Sequence, residues 1–330
     1  MKSHTIYDFI YAFSQLIDPN LFGYMLSYMC LYMPDQHTNA ALRAALFMDK
    51  GGVTKTTSTA HLGEALAREY GLEVLLIDLA GKQGDLSKQF GIHNEVRAAE
   101  DDAWPNISTV FAEEWSTIAE KVPDAVEDMI WETDENVDLI PAHEGLDSVD
   151  DDLASVNVED RYTRLDEFLT NYVDPLGYDV VLLDLPGLTN NVTLNGLFAT
   201  GRVIAPLTMG EFEERQLDQL VADIDEIVAG FDVDLELAMV LPSMYDKRAN
   251  VDTEMLARLR EQYPDRIAPS PITDSQGVPN AQAEGRTVFA VPNDELLATA
   301  KRVKDAYTDA ATALLQRVDG ETAMTSTETN

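Results

Sequence analysis

The stretch of residues 48–57, MDKGGVTKTT, contains residue types that bind phosphate. Gly51 and Gly52 let a backbone approach an anion closely, Lys55 supplies a positive charge, and the hydroxyl of Thr56 can hold Mg²⁺. In a phosphate-binding loop, successive backbone N–H groups and the N-terminus of the following helix surround the phosphates. We therefore predict a nucleotide-phosphate site here, provided that a strand precedes the loop and a helix follows it.

One position of this stretch departs from the usual loop. Thr54 stands where a phosphate-binding loop has glycine directly before its lysine. If the loop needs a conformation that favours glycine at this position, the threonine costs about 1–3 kcal/mol. We expect nucleotide binding to be weakened by Thr54 but not lost.

The elements around the loop alternate between strand and helix from Ala44 onward. A helix is predicted for residues 56–71, closing on Gly71, and further helices for 213–230 and 293–318. Continuous apolar runs between helices indicate a parallel sheet that is covered on both faces. We predict an α/β fold with a doubly wound, mostly parallel sheet and helices on both faces. The predicted strands are AALFM (44–48), EVLLIDL (73–79), VDLIPA (137–142), YDVVLLDL (178–185), RVIAPL (202–207) and LELAMVLP (235–242).

The composition of the chain is strongly acidic. The 330 residues are 45% hydrophobic, enough for one large core, and the formal net charge is −36. This balance is typical of a protein from a salt-adapted cytoplasm, as in a halophile, although an ordinary acidic protein fits it as well. Cys30 is the single cysteine, which excludes an intrachain disulfide framework and a cysteine-built metal site within one chain. We assign no metal to the five histidines, because their spacing is not that of metal ligands.

The first 40 residues differ in composition from the rest, being rich in Tyr, Phe and Met. Their apolar stretch 21–33 is shorter than the about 20 residues that span a bilayer. Three interpretations stay open: a helical hairpin, an interfacial anchor, or a segment upstream of a true start at Met33, which we favour. We predict one domain over residues 41–318 and a disordered polar tail over 319–330.

A second lysine, Lys50, precedes Lys55 by five residues, and KGGVTKTT resembles the deviant Walker loop KGGVGKTT of the ParA/MinD family of ATPases. The resemblance covers about 44–318 and is closest to the partition branch, through TLNGL, MYDKR and EGRTVF. Four further segments carry it: VLLIDLAGKQGDLSKQFG, YDVVLLDLPGLTNNVTLNGL, VLPSMYDKRANVDTEMLARLRE and ITDSQGVPNAQAEGRTVF.

This resemblance implies a P-loop NTPase fold with ATP and Mg²⁺ as cofactors. It implies that Lys50 reaches the partner subunit's nucleotide in an ATP-bound homodimer, and that Lys55 contacts the phosphates of its own subunit. Thr56 would bind Mg²⁺, with Asp78 and Asp184 supporting the metal and its waters at two strand ends. The catalytic set would be Lys50, Lys55 and Asp78. The nucleotide-binding set would be Lys50, Gly51, Gly52, Val53, Thr54, Lys55, Thr56 and Thr57.

Two further departures from the family pattern bear on activity. Ala80 stands where the family usually has the aspartate that positions the attacking water, and Thr273 and Asp274 replace a proline–arginine pair on the base side. We expect ATP and Mg²⁺ to bind and hydrolysis to be slow. Polar residues that follow Ala80 and are alternatives to the missing aspartate are Lys82, Gln83 and Asp85.

The resemblance to partition ATPases implies a DNA-partition switch that works in the cytoplasm, on the nucleoid when DNA-bound, with a ParB-like DNA-binding partner. The residues that bind DNA non-specifically would be those of the one basic cluster away from the loop. An ordinary solvated helix face of mixed charge explains this cluster equally well. Alternatives are a nucleotide-gated scaffold with negligible hydrolysis and a MinD-like membrane-cycling ATPase. The acidic tail does not resemble a basic amphipathic helix, so we expect no stable membrane association. The basic cluster consists of Arg286, Lys301, Arg302 and Lys304.

Overall fold

The computed structural model describes residues 40–50, 54–81, 83–99, 103–231 and 233–328. Side chains are described over the same residues except 159 and 319–328. The expectations for the N-terminal 39 residues, for the loop centre Gly51, Gly52 and Val53, and for Lys82 lie outside the described residues. The predicted domain limits stay predictions.

Within the described residues, seven strands form one sheet in the order β3-β4-β2-β5-β1-β6-β7. Neighbouring strands are parallel, except that β3 at the edge is antiparallel to β4. Since β1 lies between β5 and β6, the chain winds first to one side of β1 and then to the other, which is a doubly wound topology. The strands are β1 Leu42–Leu46, β2 Val74–Asp78, β3 Trp131–Glu132, β4 Val137–Ile140, β5 Val180–Asp184, β6 Arg202–Thr208 and β7 Glu236–Ser243.

The segments between the strands are largely helical. The α-helices are α1 Lys55–Tyr70, α2 Asp85–Gln89, α3 His93–Ala99, α4 Trp115–Lys121, α5 Leu146–Ala154, α6 Val158–Arg161, α7 Arg164–Phe168, α8 Asn191–Thr200, α9 Glu211–Phe231, α10 Asn250–Gln262, α11 Gly277–Ala283 and α12 Ala298–Glu328. Single turns of 3₁₀- or π-helix are Thr109–Phe111, Glu127–Met129, Leu169–Val173 and Asp174–Leu176. None of the described helices is both long and apolar enough to cross a membrane.

Two apolar clusters cover the two faces of the sheet. Successive side chains of a strand point to opposite faces, so Leu182 of β5 belongs to the cluster with α1 and α12, and Leu183 to the cluster with α8 and α9. Both side chains are fully buried. The predicted doubly wound α/β fold is therefore confirmed.

The structure corrects several element boundaries. Strand β1 begins two residues before the predicted start at Ala44. The last helix begins at Ala298 instead of residue 293, because the N–H groups of Glu295 and Leu296 close a separate turn on the carbonyl of Pro292. The same helix continues to Glu328, and the predicted disorder of residues 319–330 stays a prediction. No proline follows residue 318, and a single glycine costs a helix only about 1 kcal/mol.

Candidate nucleotide-binding site

Thr54 joins the loop to α1 in a strained conformation. Its φ is +64° and its ψ is 17°, in the left-handed region that glycine adopts readily and β-branched residues avoid. Its carbonyl accepts the first helical hydrogen bond, from the N–H of Ser58 at 2.8 Å. Its buried hydroxyl has no hydrogen-bond partner among the described residues. The loop therefore uses a glycine conformation at a position that lacks glycine.

Lys55 folds back over its own loop. Its side chain is buried, and Nζ donates to the carbonyl of Lys50 at 2.8 Å and to that of Met48 at 3.4 Å. Burial lowers the pKa of Lys55, while the nearby carboxylates of Asp184 and Asp49 raise it. An ammonium group held against backbone carbonyls beside a helix N-terminus is suited to pair with an incoming phosphate.

The segment after β5 supports the loop from the side. A β-carbon on Gly187 would lie 2.7 Å from the carbonyl oxygen of Lys50 and 2.9 Å from Nζ of Lys55, so this close approach requires glycine. The hydroxyl of Thr189 donates to the carboxylate of Asp49 at 3.3 Å. Gly187 was not among the predicted site residues, although Pro–Gly directly after a strand is a recognisable turn signal.

Asp184 and Thr56 form a pair suited to a hard cation. The Thr56 hydroxyl donates to Oδ2 of Asp184 at 2.5 Å, and the buried Oδ1 of Asp184 has no hydrogen-bond partner among the described residues. Burial, together with the charge of Asp78, raises the pKa of Asp184 well above its usual range. A divalent cation would satisfy this oxygen and favour the ionised carboxylate, and hydroxyl and carboxylate oxygens are ligands that Mg²⁺ accepts. Thr56 and Asp184 therefore fit Mg²⁺.

Asp78 lies beside Asp184, at the matching position of the neighbouring strand. Its Oδ1 accepts the N–H of Ala80 at 3.0 Å, and its Oδ2 accepts the N–H of Leu86 at 3.4 Å. Burial raises the pKa of Asp78 to about 7, although these two hydrogen bonds oppose the shift. Asp78 thus holds both ends of the loop that follows β2, and its predicted role at the metal stays a prediction.

The loop after β2 offers one described carboxylate besides Asp78. Asp85 begins α2, and its Oδ1 pairs with Nζ of Lys88 at 2.8 Å on the protein surface. Ala80 is half-buried and contributes its backbone N–H, but it has no side chain that could orient a water molecule. The role of Asp85 as a replacement for the missing aspartate stays a prediction.

Lys50 contacts the first turn of α9. Its Nζ pairs with the carboxylate of Glu213 and lies 5.0 Å from the ring centroid of Phe212, both in the first turn of α9. The hydrogen bond from Lys50 lowers the pKa of Glu213. The Lys50 side chain is 29% exposed. Sequence reasoning missed both partners, because a contact across 163 residues leaves no local signal.

A cavity of about 610 Å³ opens beyond the C-terminal end of β7. It is lined by Tyr245, by Thr273 and Asp274, which replace the family's proline–arginine pair, and by Arg302 of α12. Tyr245 and Thr273 pair as a short parallel bridge. This volume lies within the range of about 300–1,000 Å³ that is usual for small-molecule sites.

The structure places three residues of the basic cluster on α12 and Arg286 in the loop after α11. Arg286 pairs with Glu284, Lys304 lies 5.4 Å from the ring centroid of Phe289, and Lys301 is exposed. Several of these charges are thus partly engaged within the protein. Their role in DNA binding stays a prediction.

Comparisons with known proteins agree with this geometry. The family described as an AAA domain matches residues 43–237, more than half of the chain. An uncharacterized protein of Mycobacterium tuberculosis is 31% identical over 74% of this chain and 71% of its own length. The chromosome partitioning protein ParA of Caulobacter vibrioides is 30% identical over 74% of this chain and 85% of its own length.

Solved structures share the fold. The crystal structure of cobyrinic acid a,c-diamide synthase from Mycobacterium smegmatis with bound ADP and magnesium superposes with a TM-score of 0.63. It is 26% identical and covers 84% of this chain and 96% of that one. The matches in sequence and fold, together with the two-lysine loop between β1 and α1, show that the chain is a member of the ParA/MinD family of P-loop ATPases.

Proposed function

We propose that the protein is a DNA-partition switch that dimerises on ATP and acts with a ParB-like, centromere-binding partner in plasmid or chromosome segregation. It binds ATP with Mg²⁺ at the loop between β1 and α1. The 30% identity to a chromosome partitioning protein supports this role. The proposed location is the cytoplasm, and the nucleoid when DNA is bound. The acidic composition suits a cytoplasm that is rich in salt.

The observation that carries the proposal is the separation of the two loop lysines. Lys55 is buried within its own loop, whereas Lys50 lies at the rim against Glu213 and Phe212. A lysine that its own phosphate site does not use is available to the site of a second copy. This arrangement supports an ATP-bound dimer in which Lys50 crosses to the partner's nucleotide and Lys55 serves its own.

The residues of this chain bind and orient the nucleotide. Lys55 and the backbone N–H groups at the start of α1 would hold the phosphates, and the cavity beside Tyr245 and Thr273 would take the base. Thr56 and Asp184 would hold Mg²⁺, which would supply positive charge against the phosphates. Because Ala80 offers no carboxylate to orient water, we propose that hydrolysis is slow until DNA and the partner protein are bound.

Variants of the two lysines test the proposal. Lys55→Ala should abolish ATP binding, whereas Lys50→Ala should keep monomeric binding and lose ATP-dependent dimerisation. Equilibrium ATP binding and sedimentation velocity, each with and without ATP and Mg²⁺, would measure both. Glu213→Gln is the matched control, because it frees Lys50 without removing its charge and should still dimerise. A Lys50→Ala variant that dimerises fully on ATP would contradict the sandwich arrangement.

A second candidate is a nucleotide-gated scaffold with negligible hydrolysis, which the missing carboxylate at Ala80 and the strained Thr54 favour. Single-turnover hydrolysis with and without DNA separates the two. Turnover that rises with DNA supports the switch. The DNA contribution is checked by Lys301→Ala with Arg302→Ala, which should weaken DNA binding and reduce its salt dependence.

A further inference from the structure

A small cavity lies at the β4 end of the sheet, outside the nucleotide-binding site. We call it the tryptophan cavity. It has a volume of about 170 Å³. Its floor is the C-terminal end of β4, where Ile140 pairs with Ile77, the residue before Asp78. The cavity is thus one strand away from Asp78. The lining residues that matter here are Val96, Trp104, Asp128, Met129, Trp131 and Ile140.

Trp104 is unusually open for its residue type. Its side chain is 60% exposed, although tryptophan is highly buried on average. Tryptophan is also enriched among the few residues that dominate the energy of protein–protein interfaces. The cavity is smaller than the about 300–1,000 Å³ that small-molecule sites usually have. It therefore suits one or two inserted side chains of a protein better than a free small molecule.

The charge around the cavity selects the kind of side chain. Among the described residues between 93 and 143, eleven are acidic and two are lysine or arginine. Within the described part of the chain, the Asp128 carboxylate at the cavity makes no hydrogen bond or ion pair. A guanidinium or ammonium group is attracted both to a carboxylate and to the face of a tryptophan ring. A second copy of this chain would bring like charge instead.

We propose that the tryptophan cavity is the docking site for a basic segment of a partner protein, which places an arginine or lysine side chain against Trp104 with its charge at Asp128. The acidic surroundings accelerate the encounter, and the tryptophan anchors the bound segment. The tryptophan cavity would be the contact surface for the partner protein of the proposed function, and the role of that partner rests on the proposed function. Docking beside β4 would bring the partner next to the loop that Asp78 holds.

The experiment uses the full chain without nucleotide and a short synthetic peptide in which arginine alternates with alanine. Binding is measured by calorimetry and by the tryptophan fluorescence of the protein, since Trp104 should become shielded. Trp104→Ala and Asp128→Asn should each weaken binding by about five- to thirtyfold. Their controls are Tyr70→Ala, an exposed aromatic outside the cavity, and Asp225→Asn, an exposed acid on α9. Both controls should bind the peptide as the unmodified chain does.

Several results would overturn the inference. One is equal binding by Trp104→Ala and Tyr70→Ala, and another is equal binding of a peptide with glutamate in place of arginine. A third is a peptide-free dimer in sedimentation that Trp104→Ala dissociates, which would mean that a second copy covers the cavity. ATP binding is measured separately. Lost peptide binding with intact ATP binding therefore contradicts only the docking site, whereas absent ATP binding contradicts the proposed function.

Discussion

Asp78 and Asp184 occupy matching positions on neighbouring strands, are equally buried, and have different surroundings. Asp78 accepts two backbone N–H groups from its own loop, one at each oxygen. Asp184 accepts one hydroxyl, from Thr56, and leaves its other oxygen without a partner among the described residues. The same side chain at the same register therefore organises a loop on one strand and presents a free ligand atom on the next.

The difference shows what a strand-end carboxylate needs in order to hold a metal. Burial raises the pKa of both residues, so burial alone does not distinguish their roles. What distinguishes them is the presence of an oxygen that the protein leaves unpaired. We infer that Asp184 supplies the metal contact directly and that Asp78 acts mainly through the position of its loop.

The largest expected effect is that of Asp184→Asn on Mg²⁺ dependence. The change replaces the free carboxylate oxygen, so Mg²⁺-dependent ATP turnover should fall at least about a hundredfold. The free energy of unfolding should not fall, because the protein makes no hydrogen bond to that oxygen and asparagine removes a buried charge next to Asp78. ATPase assays across a Mg²⁺ titration and thermal unfolding measure the two effects. Unchanged Mg²⁺ dependence would remove the proposed distinction between the two aspartates.

Asp78→Asn is the matched variant with the opposite expected result. An asparagine keeps one acceptor and turns a donor toward the N–H of Ala80 or Leu86, so stability should fall by about 1–3 kcal/mol. Each variant removes one of two neighbouring buried carboxylates. The effect of that removal on the free energy of unfolding is common to both variants, so it cancels when the two are compared. Chemical denaturation of the two proteins side by side measures the difference. Equal stability of the two variants would mean that the bonds to Ala80 and Leu86 contribute little.

Ala80→Asp tests whether the loop held by Asp78 lacks only a carboxylate. Ala80 is half-buried, which leaves room for a longer side chain. A positioned acid–base group contributes about 10²–10⁴-fold to a rate, so recovering part of it should accelerate single-turnover hydrolysis about tenfold. Ala80→Asn controls for size without the charge. A fast unmodified chain that loses activity in Asp85→Asn would instead place the catalytic carboxylate at Asp85.

The smallest expected effect is that of Thr54→Gly. Glycine relieves the left-handed strain and removes a buried hydroxyl without a partner among the described residues, but it also raises the entropy of the unfolded chain. The net gain should be about 1 kcal/mol, or about fivefold in ATP affinity if the strain lies in the bound loop. Thr54→Val keeps the strain and removes the hydroxyl, so it separates the two causes. Isothermal titration with ATP and Mg²⁺ provides the measurement.

Local patterns in the sequence predicted six of the seven described strands and the strand-end residues of the site. The apolar runs placed Asp78 and Asp184 at strand ends, and Gly71 marked the end of α1, as the structure confirms. These features depend on neighbours along the chain, which is why periodicity and capping signals reveal them.

Features that depend on distant segments were not predictable in this way. Glu213 meets Lys50 from the other half of the chain, and the two-residue strand β3 is too short to show an alternation of apolar residues. The tryptophan cavity is built from four separate segments. The lack of a hydrogen-bond partner for one oxygen of Asp184 is likewise a property of the folded surroundings and not of the sequence near it.

The position of β1 in the sheet has a consequence for synthesis on the ribosome. Although β1 is the first of the described strands to be synthesised, its neighbours are β5 and β6, which end at Asp184 and Thr208. The strand that carries the nucleotide-binding loop therefore waits without its sheet partners while well over a hundred further residues are translated. We therefore expect that ATP does not stabilise the nascent chain during that interval and that the exposed apolar strand is a target for chaperones until β6 emerges.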